Sequence, residues 1–92
     1  MKKQRSKEFQ KQIGERILFL RNKKKWTQQE LGEACGIAKT AISDYELGKK
    51  NIGAQCLDCI MRALGVDAIQ FFRSGIFARA IRPSENRTKI IA

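Results

Sequence analysis

The stretch 27–46, TQQELGEACGIAKTAISDYE, constrains the fold more than any other part of this 92-residue chain. It predicts two short helices joined at Gly36, because glycine enters the left-handed backbone region without a steric penalty. Thr27 and Glu30 have the residue types and the spacing of a capping box, in which each side chain accepts a hydrogen bond from the other residue's backbone amide. Gly48 marks the end of the second helix in the same way.

Helical spacing of apolar residues continues on both sides of this stretch. On the N-terminal side the apolar positions are Phe9, Ile13, Ile17 and Leu20. Their steps of three and four predict a helix over about 8–24. Similar spacing predicts a fourth helix over about 54–64, and Asp67 can cap a short fifth helix over 68–73. The sequence therefore predicts an all-α domain of five helices.

The ordered set of motifs resembles the Cro and phage-repressor-like helix-turn-helix proteins, also called the xenobiotic-response-element family. The matching residues are the TQQEL run at 27–31, the small Gly32, the turn Gly36, Ile42-Ser43, Tyr45-Glu46 and Gly48-Lys49. Residues 13–21 resemble the first helix of the family and residues 63–66 the end of its fourth. The resemblance covers about residues 10–73. It implies a domain that binds double-stranded DNA.

The resemblance also implies that the second helix of the motif reads base edges in the major groove. The candidate base-contacting residues are Lys39, Thr40, Ser43 and Asp44. A lysine can donate to guanine O6 and N7, and a threonine methyl group suits thymine. Asp44 departs from the family, which often has a basic or amide residue there. A carboxylate near phosphates costs affinity unless it accepts from cytosine N4 or pairs with a lysine.

Phosphate contacts are expected on both sides of this recognition helix. The candidate phosphate-contacting residues are Gln28, at the first helix of the motif, and Lys49, Lys50 and Asn51 in the following loop. The backbone amides at the start of that first helix should also favour phosphate.

Ala38 departs from the serine or threonine N-cap that is common in the family, which costs about 1 kcal/mol of local stability. Arg21 and Glu46 match positions that pair in some phage repressors, which predicts a partly buried salt bridge.

The charge of the chain is strongly positive, with a net value of +10 and a pI of about 10.0. A small domain this basic is expected to meet a polyanion, and nucleic acid is the first candidate. A basic ribosomal protein or a membrane-surface protein shows the same balance. Residues 1–7 are basic and contain nothing to bury. They are either a frayed, solvated end or an arm that contacts phosphates or a minor groove.

The sequence offers little for catalysis or metal binding. It contains no histidine, the usual general base, so we expect no enzyme and no cofactor. The Cys56-x-x-Cys59 pair favours packing over metal binding, because a structural zinc site needs four ligands and Cys35 is only the third cysteine. Oxidation or intermolecular pairing is the remaining interpretation. Three cysteines, and no apolar run of membrane-spanning length, predict a cytoplasmic protein. The family resemblance implies that it is bacterial or phage-encoded.

Several apolar side chains fall outside the expected core. The candidate residues for dimer contact or tail packing are Leu18, Phe19, Phe71, Phe72 and Phe77. Leu18 and Phe19 lie on the side of the first helix that the family usually solvates, so either the C-terminal tail or a second subunit should cover them. Residues 74–92 extend beyond the family domain. They either form a β-hairpin around a turn at 83–86 or are partly disordered.

We therefore predict an arm at 1–7, a DNA-binding domain at 8–73 and an extension at 74–92. The predicted function is a sequence-specific transcriptional regulator that binds near-palindromic double-stranded DNA as a homodimer. Two alternatives stay open. One is an antitoxin-type autoregulator whose tail binds a small protein partner, and the other is a non-specific basic nucleic-acid binder.

Overall fold

The computed structural model describes residues 2–74 and Phe77, with side chains from Lys7 onward. The five helices of this part of the chain are α1 (Lys2–Lys23), α2 (Gln28–Cys35), α3 (Lys39–Leu47), α4 (Ala54–Leu64) and α5 (Ala68–Phe72). No strand occurs among these residues, and the predicted all-α fold is confirmed. The hairpin expected within 74–92 lies outside the described residues, apart from Ser74 and Phe77.

Helix α1 is longer than the sequence predicted. It begins at Lys2 rather than near residue 8, so the segment 2–7, which we expected to be a frayed end or an arm, continues the helix by more than a turn. At its other end, Lys24 donates to the carbonyl oxygens of the last turn, and Lys25 takes a positive φ of 63°. This turn leads the chain directly into the cap of α2.

The core draws on every helix. Its buried apolar residues are Ile13, Ile17, Leu31, Ile42, Ile60, Leu64, Phe71 and Phe77. Burial of each such side chain contributes about 1.5–3 kcal/mol. Ile13 and Ile17 lie one turn apart on α1 and therefore point from the same face into the centre of the domain.

Two glycines allow helices to touch through their backbones. A Cβ at Gly14 would overlap the carbonyl oxygen of Tyr45, so α1 crosses α3 at this point with no room for a side chain. A Cβ at Gly32 would likewise overlap the carbonyl oxygen of Ile37, so this position on α2 also has no room for a side chain. These two contacts fix the position of α3 against its neighbours.

Phenylalanines close the domain beside the N-terminal half of α1. Phe71 is fully buried and Phe77 is 2% exposed, so both rings, which we predicted for dimer contact or tail packing, are already covered within their own chain. Phe77 packs within its own chain, with ring centroids 5.0 Å from Phe72 and 6.1 Å from Phe9. Phe71, Phe72 and Phe77 thus pack against one another within the chain.

Leu18 and Phe19 remain uncovered within the described part of the chain. Their exposures are 36% and 53%. The guanidinium of Arg16 lies over the Phe19 ring, 5.5 Å from its centroid, and also donates to the carbonyl oxygens of Gln70 and Phe71. Arg16 therefore connects this apolar surface to α5. None of the described helices is long and apolar enough to cross a membrane.

Candidate nucleic-acid interface

The interface is built on the helix-turn-helix formed by α2 and α3. Thr27 Oγ1 accepts from the Glu30 amide at 3.0 Å, and Glu30 Oε1 accepts from the Thr27 amide at 2.8 Å, so the predicted capping box is present. Gly36 ends α2 with a φ of 71°, as expected. After this turn, Ala38 begins α3 without a side-chain cap.

The outer face of α3 carries the four predicted base-contacting residues. Lys39 and Thr40 are exposed, and Ser43 and Asp44 are half-buried. Residues three or four positions apart are neighbours on a helix surface, and the pairs 39/43, 40/43 and 40/44 have this spacing. In the residues that the structure describes, the side chains of Lys39, Thr40 and Ser43 have no hydrogen-bond or ionic partner. Their donors and acceptors are therefore free to meet an external surface.

Asp44 differs from these three because it has a cationic partner. Lys50 Nζ lies 3.8 Å from Asp44 Oδ2. From the sequence, a carboxylate at this position was expected either to accept from cytosine N4 or to pair with a lysine. The structure shows the pairing with a lysine. The side chains are 55% and 36% exposed, so the pair is worth about 0–1 kcal/mol at most. A phosphate can therefore compete with Asp44 for the ammonium group.

The last turn of α3 is fixed by a buried charge network. Arg21 Nε donates to Glu46 Oε2 at 2.6 Å and Arg21 Nη2 to Oε1 at 3.1 Å, which forms the predicted salt bridge. The two side chains are only 11% and 4% exposed. Arg21 Nη1 also donates to the carbonyl oxygen of Trp26 at 2.7 Å. Both carboxylate oxygens are satisfied, which offsets the desolvation of the charges.

Gln28 belongs to this network, which the sequence did not predict. Its Nε2 donates to Glu46 Oε1 at 2.9 Å. One amide hydrogen is thus used inside the protein, and the other remains available for a phosphate. Lys49 and Asn51 are exposed and, among the described residues, have no side-chain partner. The phosphate candidates therefore lie at both ends of the motif, with Lys50 shared between Asp44 and any external anion.

The N-terminal half of α1 lies beside the loop that follows α3. The Ile52 amide donates to Gln10 Oε1 at 3.2 Å. A Cβ at Gly48 would lie 2.7 Å from Lys11 Cγ, so Lys11 packs directly on the end of the recognition helix. Sequence reasoning missed this contact. The sequence indicates this contact only indirectly, because Lys11 lies about one turn before Gly14, where α1 meets α3.

The three cysteines belong to α2 and α4, and one of them contacts α3. The Tyr45 hydroxyl donates to Cys56 Sγ at 3.8 Å, and burial together with this bond raises the pKa of Tyr45. Burial raises the pKa of Cys35, and the neighbouring Cys59 and Cys56 add to the effect. Cys35 and Cys56 are half-buried as the packing interpretation requires, but Cys59 is exposed. The described residues contain no group of three His, Cys, Asp or Glu side chains suited to a metal ion.

Comparison with known proteins agrees with this geometry. Residues 17–71 match the sequence model of a family described as Helix-turn-helix. This chain belongs to the xenobiotic-response-element family of helix-turn-helix proteins. The matched region runs from the second half of α1 to α5 and contains the whole α2–α3 motif. The family resemblance read from the TQQEL run and its glycines is thereby confirmed.

Two curated proteins are similar to the chain over 60 residues. The competence pilus inhibition repressor of Acinetobacter baylyi is 32% identical, and the aligned part covers 65% of this chain and 54% of the relative. An uncharacterized HTH-type transcriptional regulator of Sinorhizobium fredii is 37% identical, with coverage of 65% and 42%. The chain thus matches about half the length of these relatives.

Proposed function

We propose that this protein is a sequence-specific DNA-binding regulator of transcription that binds near-palindromic operators as a homodimer. The observation that carries the proposal is the outer face of α3, where Lys39, Thr40 and Ser43 are free of described partners. Family membership supports DNA binding by the α2–α3 motif. The names of both relatives support regulation of transcription, and one of them supports repression.

In this proposal the N-terminal end of α3 enters the major groove, as recognition helices do. Lys39 donates to guanine, the Thr40 methyl group contacts thymine, and the Ser43 hydroxyl bonds to either type of base. Asp44 accepts from cytosine N4 when DNA phosphate draws Lys50 away. If Lys50 stays on Asp44, the carboxylate is neutralised and reads no base.

Phosphate contacts position the recognition helix rather than specify sequence. Gln28 uses its remaining amide hydrogen together with the first backbone amides of α2, which favour anions. Lys49, Lys50 and Asn51 contact the backbone from the loop that follows α3. These two groups of donors hold the helix in a defined register over the base pairs.

A second copy of the chain is part of the proposal because one recognition helix buries too little surface for tight specific binding. Two copies place their recognition helices about 34 Å apart, one turn of DNA. Leu18 and Phe19 are the exposed apolar residues that we propose for the contact between copies, with the half-buried Phe72 at the far end of α5. Arg16 connects Phe19 to α5, because its guanidinium lies over the Phe19 ring and also donates to the Phe71 carbonyl oxygen.

Selection of binding sites from a random duplex library tests the whole proposal. We expect two inverted half-sites with centres about one helical turn apart. A single half-site would contradict the homodimer, and no enriched sequence would contradict specific recognition and favour a non-specific binder. Copurification of a small protein with the full chain, lost on removal of residues 74–92, would favour the antitoxin-type alternative.

Two variants then separate base reading from phosphate binding. Lys39→Ala should cost about 1–3 kcal/mol on the selected site and relax preference at one base pair. Lys49→Ala should weaken binding to selected and random duplexes alike and lower the salt dependence. If Lys39→Ala behaved like Lys49→Ala, Lys39 would be a phosphate contact and the assignment of the α3 face would be wrong.

A further inference from the structure

The basic N-terminal half of α1 is placed where a third contact with DNA would form. Lys11 lies against Gly48, and Gln10 accepts from the backbone of Ile52, so this part of α1 borders the loop that carries Lys49. From the sequence, residues 1–7 are either a frayed end or an arm. In the structure, residues 2–7 belong to the continuous helix α1.

The course of α1 gives the position of Lys7 relative to this loop. Helix α1 crosses the end of α3 at Gly14, where it meets the Tyr45 carbonyl, and reaches Gly48 at Lys11. Toward its N-terminus, α1 therefore runs past the end of α3. Lys7 follows one turn beyond Lys11, about 6 Å further along the axis and on the same face.

The lysines at this place are exposed and unneutralised. Lys7, Lys11 and Lys49 take part in no ion pair within the part of the chain that the structure describes. The carboxylates nearest in sequence, Glu8 and Glu15, form none with them either. Such a concentration of like charge is repulsive in the free protein and is relieved when phosphates displace counterions around it.

We infer that Lys7 and Lys11 bind backbone phosphates of double-stranded DNA next to those contacted by Lys49, which makes α1 a third element that positions the recognition helix. This inference rests on the proposed function. Because the lysines stand on a helix packed against the end of α3, their distance from the recognition helix is fixed by the fold. A flexible arm would supply the same charges without fixing that distance.

The salt dependence of binding tests this contact in the full-length protein. The variants are Lys7→Gln and Lys11→Gln. The control is Arg62→Gln, which removes one exposed positive charge on α4, a helix to which the proposal assigns no contact with DNA or between copies. Glutamine retains the Cγ that packs on Gly48. For each test variant we expect the slope of log K against log salt to fall by about 0.9 for every bound copy. The control should leave the slope unchanged.

Further measurements make each outcome decisive. Both test variants should lose affinity for the selected and the random duplex by the same factor, and Lys11→Arg should keep the wild-type slope because it keeps the charge. If Lys11→Gln perturbed folding in a thermal melt, Lys7→Gln, which has no described contact, would still report the slope. Test variants with the slope of the Arg62→Gln control would overturn the inference. A wild-type protein that bound no duplex, or bound one without salt dependence, would instead overturn the proposed function.

Discussion

The two helices of the motif are stabilised at opposite ends. Helix α2 is fixed at its beginning, where Thr27 and Glu30 satisfy each other's backbone amides. Helix α3 begins at Ala38 with no side-chain cap and is fixed at its end, where Glu46 is bonded to Arg21 and Gln28. The motif therefore uses local sequence to start one helix and long-range partners to fix the other.

This difference separates stability from recognition. The N-terminal turn of α3, which we propose enters the groove, contributes no side-chain bond to the described fold, since Lys39 and Thr40 are free. The groups that fix α3 lie on its buried face and at its last turn. Residues on the reading surface can therefore change without loss of the fold, whereas changes at Glu46 and its partners act on stability first.

The largest effect should come from the end that fixes α3. Arg21→Met leaves the nearly buried Glu46 carboxylate without its cation and the Trp26 carbonyl without a donor. We expect a loss of about 3–5 kcal/mol in the free energy of unfolding, measured by urea denaturation. Operator binding should fall with the folded fraction.

Arg62→Met provides the control for burial. Arg62 Nε bonds to Asp58 Oδ2 at 2.9 Å, but the two side chains are 79% and 54% exposed. Its removal should cost less than about 1 kcal/mol. If both variants lost similar amounts of stability, burial of the Arg21–Glu46 pair would not be what fixes α3, and the contrast between the two helix ends would fail.

A smaller effect should come from the beginning of α2. Thr27→Ala removes the acceptor for the Glu30 amide, and we expect a loss of about 1 kcal/mol in urea denaturation. Thr40→Ala is the matched control, because Thr40 lies in the first turn of α3 without a described bond. It should leave stability nearly unchanged and weaken operator binding. Equal losses of stability in the two variants would show that the first turn of α3 is also held by its side chains.

The features that the sequence predicted are those determined by neighbouring residues. The capping box depends on Thr27 and Glu30 alone, and the helix ends at Gly36 and Gly48 depend on the conformational freedom of glycine. The four residues on the outer face of α3 follow from helical spacing. The ion pair between Arg21 and Glu46 is long-range, but it was still predicted because the family resemblance named both partners.

The features that were missed depend on packing between distant segments. The segment 2–7 has no apolar period, but its residues extend an existing helix at little cost, since propagation is easier than nucleation. Apolar spacing near α5 cannot tell whether Phe71 faces its own core or a second copy. Gln28 was predicted only as a phosphate contact, because its hydrogen bond to Glu46 joins residues 18 positions apart in the sequence. Lys11 meets Gly48 only because Gly14 lets α1 approach α3.

The smallest predicted effect is a gain of stability at the uncapped beginning of α3. Ala38 has φ −63° and ψ 145°, an extended geometry that already suits an N-cap residue. Ala38→Ser should therefore raise the free energy of unfolding by about 0.5–1 kcal/mol, because the hydroxyl can accept from an amide of the first turn.

DNA binding by Ala38→Ser then shows how independent the two roles of α3 are. The side chains of Lys39, Thr40 and Ser43 are unchanged, so the preferred sequence in a repeated site selection should also be unchanged. A variant that gained stability but bound operator less tightly, with the same sequence preference, would show that the first-turn amides of α3 themselves bind phosphate. If Ala38→Ser gave no gain in stability, other interactions would already compensate for the missing N-cap bond of α3. The starts of α2 and α3 would then differ less in stability than their side-chain hydrogen bonds indicate.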